Sequence, residues 1–448
     1  MKKALAALAI FSGAALSANA AMLKVSDQTF ANFGLKLQIY GQALEDAATY
    51  NDDSKNAIDF TIQNARVYFS GQLNPIVQFG ANLDFAVTGK STSHEGTSTT
   101  KVRDAFINFR FMPELNVMAG YYRVPFSRET LTGRYDRIFM PQDGWVRYSD
   151  TNSIYKDQIL PTLYVAGTDG QIHLTASNVL GGPSLGNALS ITGTTDEADF
   201  ARDAGVTVWG DVLGGMVKYY VGVFDGFGDH NAGEVVAGQG KDNLGYAFRI
   251  QFTPTMLGFQ PEKGYLLSET YLGQKNTLSF GFAYAYSELE VASGSDYKFK
   301  SWTVDANWEQ KLTQFGLPLV PKVELGYVYT DGDNLPIAQT SGGAKIAELD
   351  SVKSYYVTLG TLFDQQIWLG KLGVYLKYQK TKVDLTNTTL DDIEPTVWTV
   401  AVPYYLAGQN AKIVLQYNKY DYDKNGFDPR NDDDDSNSDW TLAFQVQF

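Results

Sequence analysis

The chain has 448 residues, a formal net charge of -14 and no cysteine, and aromatic residues make up 14% of it. The missing cysteine excludes disulfides and thiolate chemistry, and the acidic balance argues against a protein that binds nucleic acid. Beyond the N-terminal stretch, no apolar run approaches the roughly eighteen residues that a membrane-spanning helix needs.

The N-terminal stretch has the three parts of a secretory signal. Lys2 and Lys3 give a basic start, Ala4 to Leu16 an apolar core, and Ala18-Asn19-Ala20 a cleavage site made of small residues. The apolar core is too short to span a membrane as a helix. We therefore predict a signal peptide over residues 1–20, removed from an exported protein.

After the signal, apolar and polar residues alternate almost everywhere. Between Ile76 and Val87, the odd positions from Val77 onward are apolar, whereas the even positions from Gln78 to Asp84 are polar or glycine. The same alternation returns in the last stretch, from Trp440 to the aromatic residue Phe448. A period of two residues predicts strands with one apolar and one polar face.

Two kinds of connection follow one another along the chain. Short turns such as Asn74-Pro75 and Gly214-Gly215 alternate with long polar loops, and the exception is Thr253 to Asn276, a long connection on the short-turn side. Short turns on one rim and long loops on the other are typical of outer-membrane barrels. We predict an all-β fold: residues 21–448 form one transmembrane antiparallel β-barrel of about 16–18 strands. The alternative is a secreted β-sandwich or β-solenoid.

One long stretch, Tyr121 to Tyr155, interrupts the alternation. It carries five arginines interleaved with aromatic residues: Arg123, Arg128, Arg134, Arg137 and Arg147. Arginine offers an oxyanion a planar, always charged fork of donors. We predict that the loop Val124 to Gln158 folds inward and that these arginines form an anion-binding constriction, with Arg128, Arg123 and Arg134 foremost. The alternative is a loop held to the wall by arginine–carboxylate pairs, without a role in transport.

Charged residues also occur on the polar faces of the strands. The alternation directs four basic residues toward the lumen: Lys36, Arg66, Arg110 and Arg249. It directs four carboxylates the same way: Asp84, Asp104, Asp305 and Glu309. Cations and anions on opposite walls are typical of general porins. For any one of these residues, a structural role in the wall is the favoured interpretation and a role in selectivity the alternative.

An acidic loop near the C-terminus has part of a calcium-binding pattern. Asp421, Asp423, Asn425 and Asp432 occupy positions one, three, five and twelve, with Gly426 at six. Position twelve holds Asp rather than the longer Glu, and no helices flank the loop. A solvated acidic loop is the favoured interpretation and a Ca²⁺ site the alternative; no other cofactor is expected. No catalytic triad can be assembled around the three histidines, so an enzyme is not predicted.

Four pieces between Arg66 and Asp143 resemble the phosphate-selective porin O and P family. They are RVYFSGQL (Arg66 to Leu73), GANLDF (Gly80 to Phe85), DAFINFRF (Asp104 to Phe111) and AGYYRVPFSRETL (Ala119 to Leu131). The last piece is the most specific. The resemblance implies a sixteen-stranded, trimeric, anion-preferring channel whose inward loop carries arginines to the narrowest point.

Together these features predict a passive porin of the bacterial outer membrane for small anions such as phosphate or a similar oxyanion. The expected partners are outer-membrane lipid and lipopolysaccharide, the permeating anions and two further copies in a homotrimer. Two alternatives remain open. One is a general or cation-preferring porin, and the other is a barrel that serves as a binding scaffold for a partner or a metal.

Overall fold

Seventeen strands make up almost all of the described structure. The computed structural model describes residues 21–44, 57–85, 100–140, 202–225, 244–290, 296–339, 345–386, 394, 396–421 and 436–448. The strands in these ranges are β1 (Ala21–Lys24), β2 (Phe30–Leu44), β3 (Ala57–Gln72), β4 (Val77–Phe85), β5 (Thr100–Met112), β6 (Leu115–Arg123), β7 (Arg202–Val212), β8 (Val217–Phe224), β9 (Gly245–Phe252), β10 (Thr277–Glu290), β11 (Asp296–Glu309), β12 (Leu319–Gln339), β13 (Lys345–Phe363), β14 (Lys371–Thr386), β15 (Thr396–Tyr405), β16 (Ala411–Asp421) and β17 (Ser436–Gln447).

These strands form a closed antiparallel barrel. In the described part of the chain, each strand from β2 to β16 pairs with the next, and β17 pairs back with β2, so that sixteen strands complete the wall. The short strand β1 pairs with the beginning of β2, from Phe30 to Phe33. Closure leaves no exposed sheet edge, which is what allows strands to cross a membrane. No helix within the described ranges is long and apolar enough to cross a membrane.

The pairing of β6 with β7 decides the strand count. Arg123 pairs with Arg202 and Tyr121 with Ala204, so the wall passes directly from one strand to the other. Residues 124–201 therefore connect β6 to β7, and the part of this connection that the structure describes is 124–140. The described wall therefore has sixteen strands, β2 to β17, the lower of the two predicted counts.

The two faces of the wall differ as the alternation predicts. In β9, Tyr246, Phe248 and Ile250 are exposed on the outside, whereas Arg249 and Gln251 are buried on the inside. Apolar side chains outside and polar ones inside suit a barrel surrounded by lipid. Aromatic rings also cluster on the outer face, among them Trp302 against Tyr327 and Tyr378 against Trp398, as expected where strands cross the membrane interface.

Two segments fill part of the lumen. The first, Val124–Met140, is named here the inner segment; it leaves β6 and holds a four-residue helix α1 (Arg128–Leu131) and a 3-10 turn (Arg134–Asp136). The second, Thr253–Asn276, is the connection on the short-turn side, named here the rim connection; its only regular piece is a 3-10 turn (Thr255–Leu257). Leu131 of the first and Leu267 of the second belong to one buried apolar cluster.

Candidate functional site

The inner segment crosses the lumen from β6 toward β16. Its helix begins at Ser127, whose side chain accepts a hydrogen bond from the Thr130 amide at 3.0 Å. Arg123 donates to the Thr130 carbonyl at 2.7 Å and ties the helix to the end of β6. At its other end, the Met140 amide donates to Gln416 of β16 at 2.8 Å. The described part of the predicted inward loop thus contacts inner-face side chains on opposite sides of the barrel.

Arg128 is fully buried and bound to carboxylates. Its guanidinium donates to both oxygens of Glu262, at 2.9 and 2.6 Å, and to Glu324 of β12 at 3.2 Å. Burial by itself would lower the pKa of Arg128, but these carboxylates raise it well above its ordinary value. The charge of the Arg128 guanidinium is therefore compensated within the protein. This geometry matches the alternative in which the loop is held to the wall by arginine–carboxylate pairs.

Glu262 connects the rim connection to the inner segment. Besides Arg128, its carboxylate accepts hydrogen bonds from Gln251 at 2.8 Å, Tyr271 at 2.8 Å and Ser279 at 2.7 Å. Burial opposes ionisation of Glu262, yet Arg128 and these donors lower its pKa below the ordinary glutamate range. Next to this pair, the Leu267 amide donates to the Leu131 carbonyl at 3.0 Å. Segments that enter from opposite rims thus meet inside the barrel.

Arg137 is also paired. Its Nη1 atom lies 3.0 Å from one oxygen of Glu129, within the same segment. Lys377 of β14 binds the other oxygen of Glu129 at 2.5 Å. Glu129 is thus shared by two cations, one from the segment and one from the wall.

Arg134 lies among basic and amide side chains of β2 and β3. Its Nε atom donates to Gln38 at 2.9 Å. The neighbouring ring of Tyr135 has the Lys36 ammonium 5.2 Å and the Arg66 guanidinium 5.7 Å from its centroid, within the range of cation–π contacts. We name Lys36, Arg66 and Arg134 the basic patch. Lys36 and Arg66 are direct cross-strand partners, an arrangement of like charges that costs stability.

More charged residues surround the basic patch. Asp84 lies 2.9 Å from Arg66 and 3.5 Å from Arg103, and Asp104 lies 2.9 Å from Arg202. Arg202 is in turn the cross-strand partner of Arg123. Among the described residues here, the cations Lys36, Arg66, Arg103, Arg123, Arg134 and Arg202 outnumber the carboxylates Asp84, Asp104, Asp136 and Asp203.

Arg249 and Arg110, the two predicted basic residues of the lumen not yet placed, lie in different parts of the barrel. Arg249 is fully buried and donates to both oxygens of Asp305, at 2.6 and 2.8 Å, and to the Phe126 carbonyl at 2.9 Å. It therefore supports the inner segment. Arg110 is exposed near the short-turn rim, on the same face as the buried Asn108.

Four predicted site residues cannot be placed. Arg147 lies outside the described residues, and so do Asp423, Asn425 and Asp432 of the proposed calcium loop. Asp421 is the last residue of β16, and its carboxylate lies 3.2 Å from Lys419. Within the described ranges, no group of carboxylates and histidines is arranged to hold a metal ion.

Several residues of this site were not singled out from the sequence. Glu324 and Lys412 alternate with outward residues of β12 and β16, so the period-two pattern marks both as lumen-facing. Lys412 donates to the Arg137 carbonyl and, at 2.9 Å, to Gln409. Glu262 belongs to an irregular connection, where no periodicity assigns a direction to its side chain.

Comparisons with known proteins agree with this architecture. A family model described as "Phosphate-selective porin O and P" matches residues 33–309. No sequence among curated proteins matches. Among solved structures, the Salmonella typhi OmpF complex with daunomycin is similar (13% identity, TM-score 0.52, 96% of this chain and 100% of that one). So is Pseudomonas putida OprB at high pH (10% identity, TM-score 0.51, 93% of this chain and 94% of that one). A weaker similarity is to an anion-selective porin from Comamonas acidovorans (10% identity, TM-score 0.49, 94% of this chain and 100% of that one).

Proposed function

The chain belongs to the phosphate-selective porin O and P family and is a porin of the bacterial outer membrane, and from that premise we propose that it passes small oxyanions, phosphate among them, by passive diffusion. The basic patch on β2, β3 and the inner segment would meet the anion. The observation that carries this proposal is the direct cross-strand pairing of Lys36 with Arg66 against the ring of Tyr135.

Like charges at adjacent positions are costly unless an anion can approach them. Asp84, the carboxylate that binds Arg66, is shared with Arg103. The Lys36 ammonium lies against two rings, those of Tyr68 and Tyr135, at 5.0 and 5.2 Å. An excess of positive charge in a narrow, partly desolvated passage attracts oxyanions, and several moderate sites let an ion enter and still leave.

The arginines of the inner segment then divide into two roles. We propose that Arg128 and Arg137 position the segment, because both are bound to carboxylates. Arg134 would contact the permeating anion together with Lys36 and Arg66, and Arg123 would add to the local field. Arg147 lies outside the described residues, and its role in the constriction stays a prediction.

The test is the reversal potential of the purified porin in a planar bilayer under a salt gradient. Charge reversal at Lys36 and Arg134 should lower the anion preference at least severalfold and weaken block by added phosphate. Lys419→Glu, an outward lysine on β16, makes the same kind of charge change away from the lumen and should leave both values unchanged. Unaltered anion preference in the Lys36/Arg134 variant would contradict the proposal.

A cation-preferring porin is the second candidate. The observation in its favour is the group of lumen carboxylates on the rim connection and on β11 and β12: Glu262, Glu269, Asp305, Glu309 and Glu324. Three of them are bound to arginines: Glu262 and Glu324 to Arg128, and Asp305 to Arg249. Cation preference in the bilayer experiment would favour this candidate. A very small conductance with a co-purifying partner would favour the binding scaffold.

We further propose that the porin assembles as a homotrimer. The family supports this expectation. The mass of the purified porin in detergent, measured by light scattering with the bound detergent subtracted, should be three times that of one chain. A monomer mass under non-denaturing extraction would contradict it.

A further inference from the structure

A patch of lysines lies on the outer surface of the barrel, near the long-loop rim. Lys300 of β11, Lys353 of β13 and both Lys380 and Lys382 of β14 have side chains between about a third and a half exposed. Their strand neighbours Ser354 and Thr381 are buried on the inner side and bond each other at 3.0 Å. By the alternation of the strands, the lysines therefore face outward. We name these four residues the lysine patch.

The lysines are brought together by the register of the strands. Lys353 and Lys382 are direct cross-strand partners, a like-charge pair on the outer face. Asp384 binds both ammonium groups, Lys353 at 2.6 Å and Lys382 at 2.8 Å. Lys380 is similarly bound to Glu394 at 2.6 Å. An ammonium group has three donors, so a lysine that gives one to a carboxylate can give another to a phosphate.

An aromatic and apolar surface adjoins the lysine patch on the same strands. Tyr355, directly opposite Lys380 across the strand pair, lies against Tyr378, and Tyr378 against Trp398. Farther toward the short-turn rim, Leu359 and Leu376 are exposed on the outer face. A ligand that covers the whole surface needs an anionic head at the rim and an apolar body along the strands.

We propose that the lysine patch binds a phosphorylated glycolipid of the outer leaflet. Strands lie about 4.8 Å apart, so Lys300 and Lys353, two strands from each other, are on the order of 10 Å apart. The patch can therefore contact more than one phosphate on a single disaccharide headgroup, while the acyl chains lie against the apolar outer face. The long loops mark this rim as the extracellular one, where such lipids are found.

The experiment measures binding of bisphosphorylated lipid A, and of lipid A without its phosphates, to the full-length porin by native mass spectrometry. The wild type should prefer the phosphorylated lipid. Lys353→Gln with Lys382→Gln should weaken its binding about 25-fold, since each of the two lysines near an anionic lipid surface contributes about fivefold. Binding of the dephosphorylated lipid should stay unchanged. Lys24→Gln is the matched control, because Lys24 is an exposed lysine paired with Asp27 and lies at the short-turn rim, far from the lysine patch.

Other outcomes would overturn the proposal. Equal binding of the two lipids by the wild type, or unchanged preference in the double variant, would exclude a phosphate contact at this patch. Asp384→Asn should tighten binding, because it removes a competing carboxylate. Weaker binding by that variant, together with loss on chelation, would mean that a divalent cation carries the contact. Displacement of the lipid by inorganic phosphate would exclude a site built for lipid. Conductance, measured in parallel, should not change.

Discussion

The guanidinium of Arg128 and the carboxylate of Glu262 form a two-pronged ion pair between segments that enter the barrel from opposite rims. Both side chains are almost fully buried. Removing one partner would leave the other charge buried without full compensation, and such losses cost more than the pair itself contributes.

We expect Glu262→Ala to lower the free energy of unfolding by about 3 kcal/mol, because it leaves the buried charge of Arg128 without full compensation. The same variant should increase current noise through single channels, since the inner segment loses its tie to the rim connection. Denaturant titration and single-channel recording measure the two effects. Glu288→Ala, at a partly exposed outward carboxylate on β10, should change stability by no more than about 0.5 kcal/mol. Quiet channels in the Glu262 variant would argue against a positioning role.

A second prediction concerns Glu269, which lies in the rim connection and accepts a hydrogen bond from the Ile138 amide at 2.5 Å. Burial, and then the nearby carboxylate of Glu324, raise its pKa, against the opposing effect of Lys377 and Arg137. The stability linked to this group is therefore fully present below the unfolded pKa of about 4.3 and is lost as the pH rises through the folded pKa.

Glu269→Gln should accordingly match the wild type in stability near pH 4 and exceed it near pH 8. The glutamine keeps an acceptor for the Ile138 amide and removes the ionisation. Unfolding by denaturant at the two pH values provides the comparison. Equal stabilities at both values would show that the ionised carboxylate is not penalised in the folded state.

The ring of Tyr135 offers a way to disturb the basic patch without changing its charge. Its contacts with Lys36 and Arg66 are cation–π contacts. Tyr135→Leu should loosen both cations and lower the anion-to-cation permeability ratio about twofold to threefold. Tyr135→Phe retains the aromatic face and should behave as the wild type. If both variants lost selectivity equally, the contacts of the ring with Lys36 and Arg66 would not be what maintains the anion preference.

Replacement of Gly120 by alanine should cause a folding defect rather than a functional one. Its φ of +136° lies in a region that residues with a side chain rarely adopt, and an added Cβ would collide with the backbone carbonyl of Ala105 in β5. Gly120→Ala should cost at least about 1–3 kcal/mol and reduce the fraction of folded barrel on heat-modifiability gels. Gly258→Ala also has a positive φ but open space around the site, so it should be milder.

The strand faces could be predicted because alternation is local information. Val77 to Phe85 form β4 as expected, and the buried position of Asp84 follows from its parity. The count of sixteen rather than eighteen depended on a long-range event, the pairing of β6 with β7 across a 78-residue connection (124–201). Alternation within a segment does not by itself show whether that segment belongs to the wall.

The arginines of the inner segment were predictable as a group, but their partners were not. The sequence did not single out Glu129, which binds Arg137. Arg128 binds Glu262, which is 134 residues away. Such pairs depend on how two irregular segments fold inside a barrel, and neither segment has a period that fixes its side chains.

The contacts of the inner segment near Tyr135 also bear on how the cylinder is assembled. Arg134 binds Gln38 of β2, while the Tyr135 carbonyl accepts a hydrogen bond from Gln445 of β17 at 2.8 Å. β2 and β17 are the first and last strands of the wall, and their pairing joins residues about 400 positions apart in the chain. Encounters of such sequence separation are slow. A segment that holds both strands at once acts as a template for the seam, so its loss would delay the final closing step as well as widen the passage.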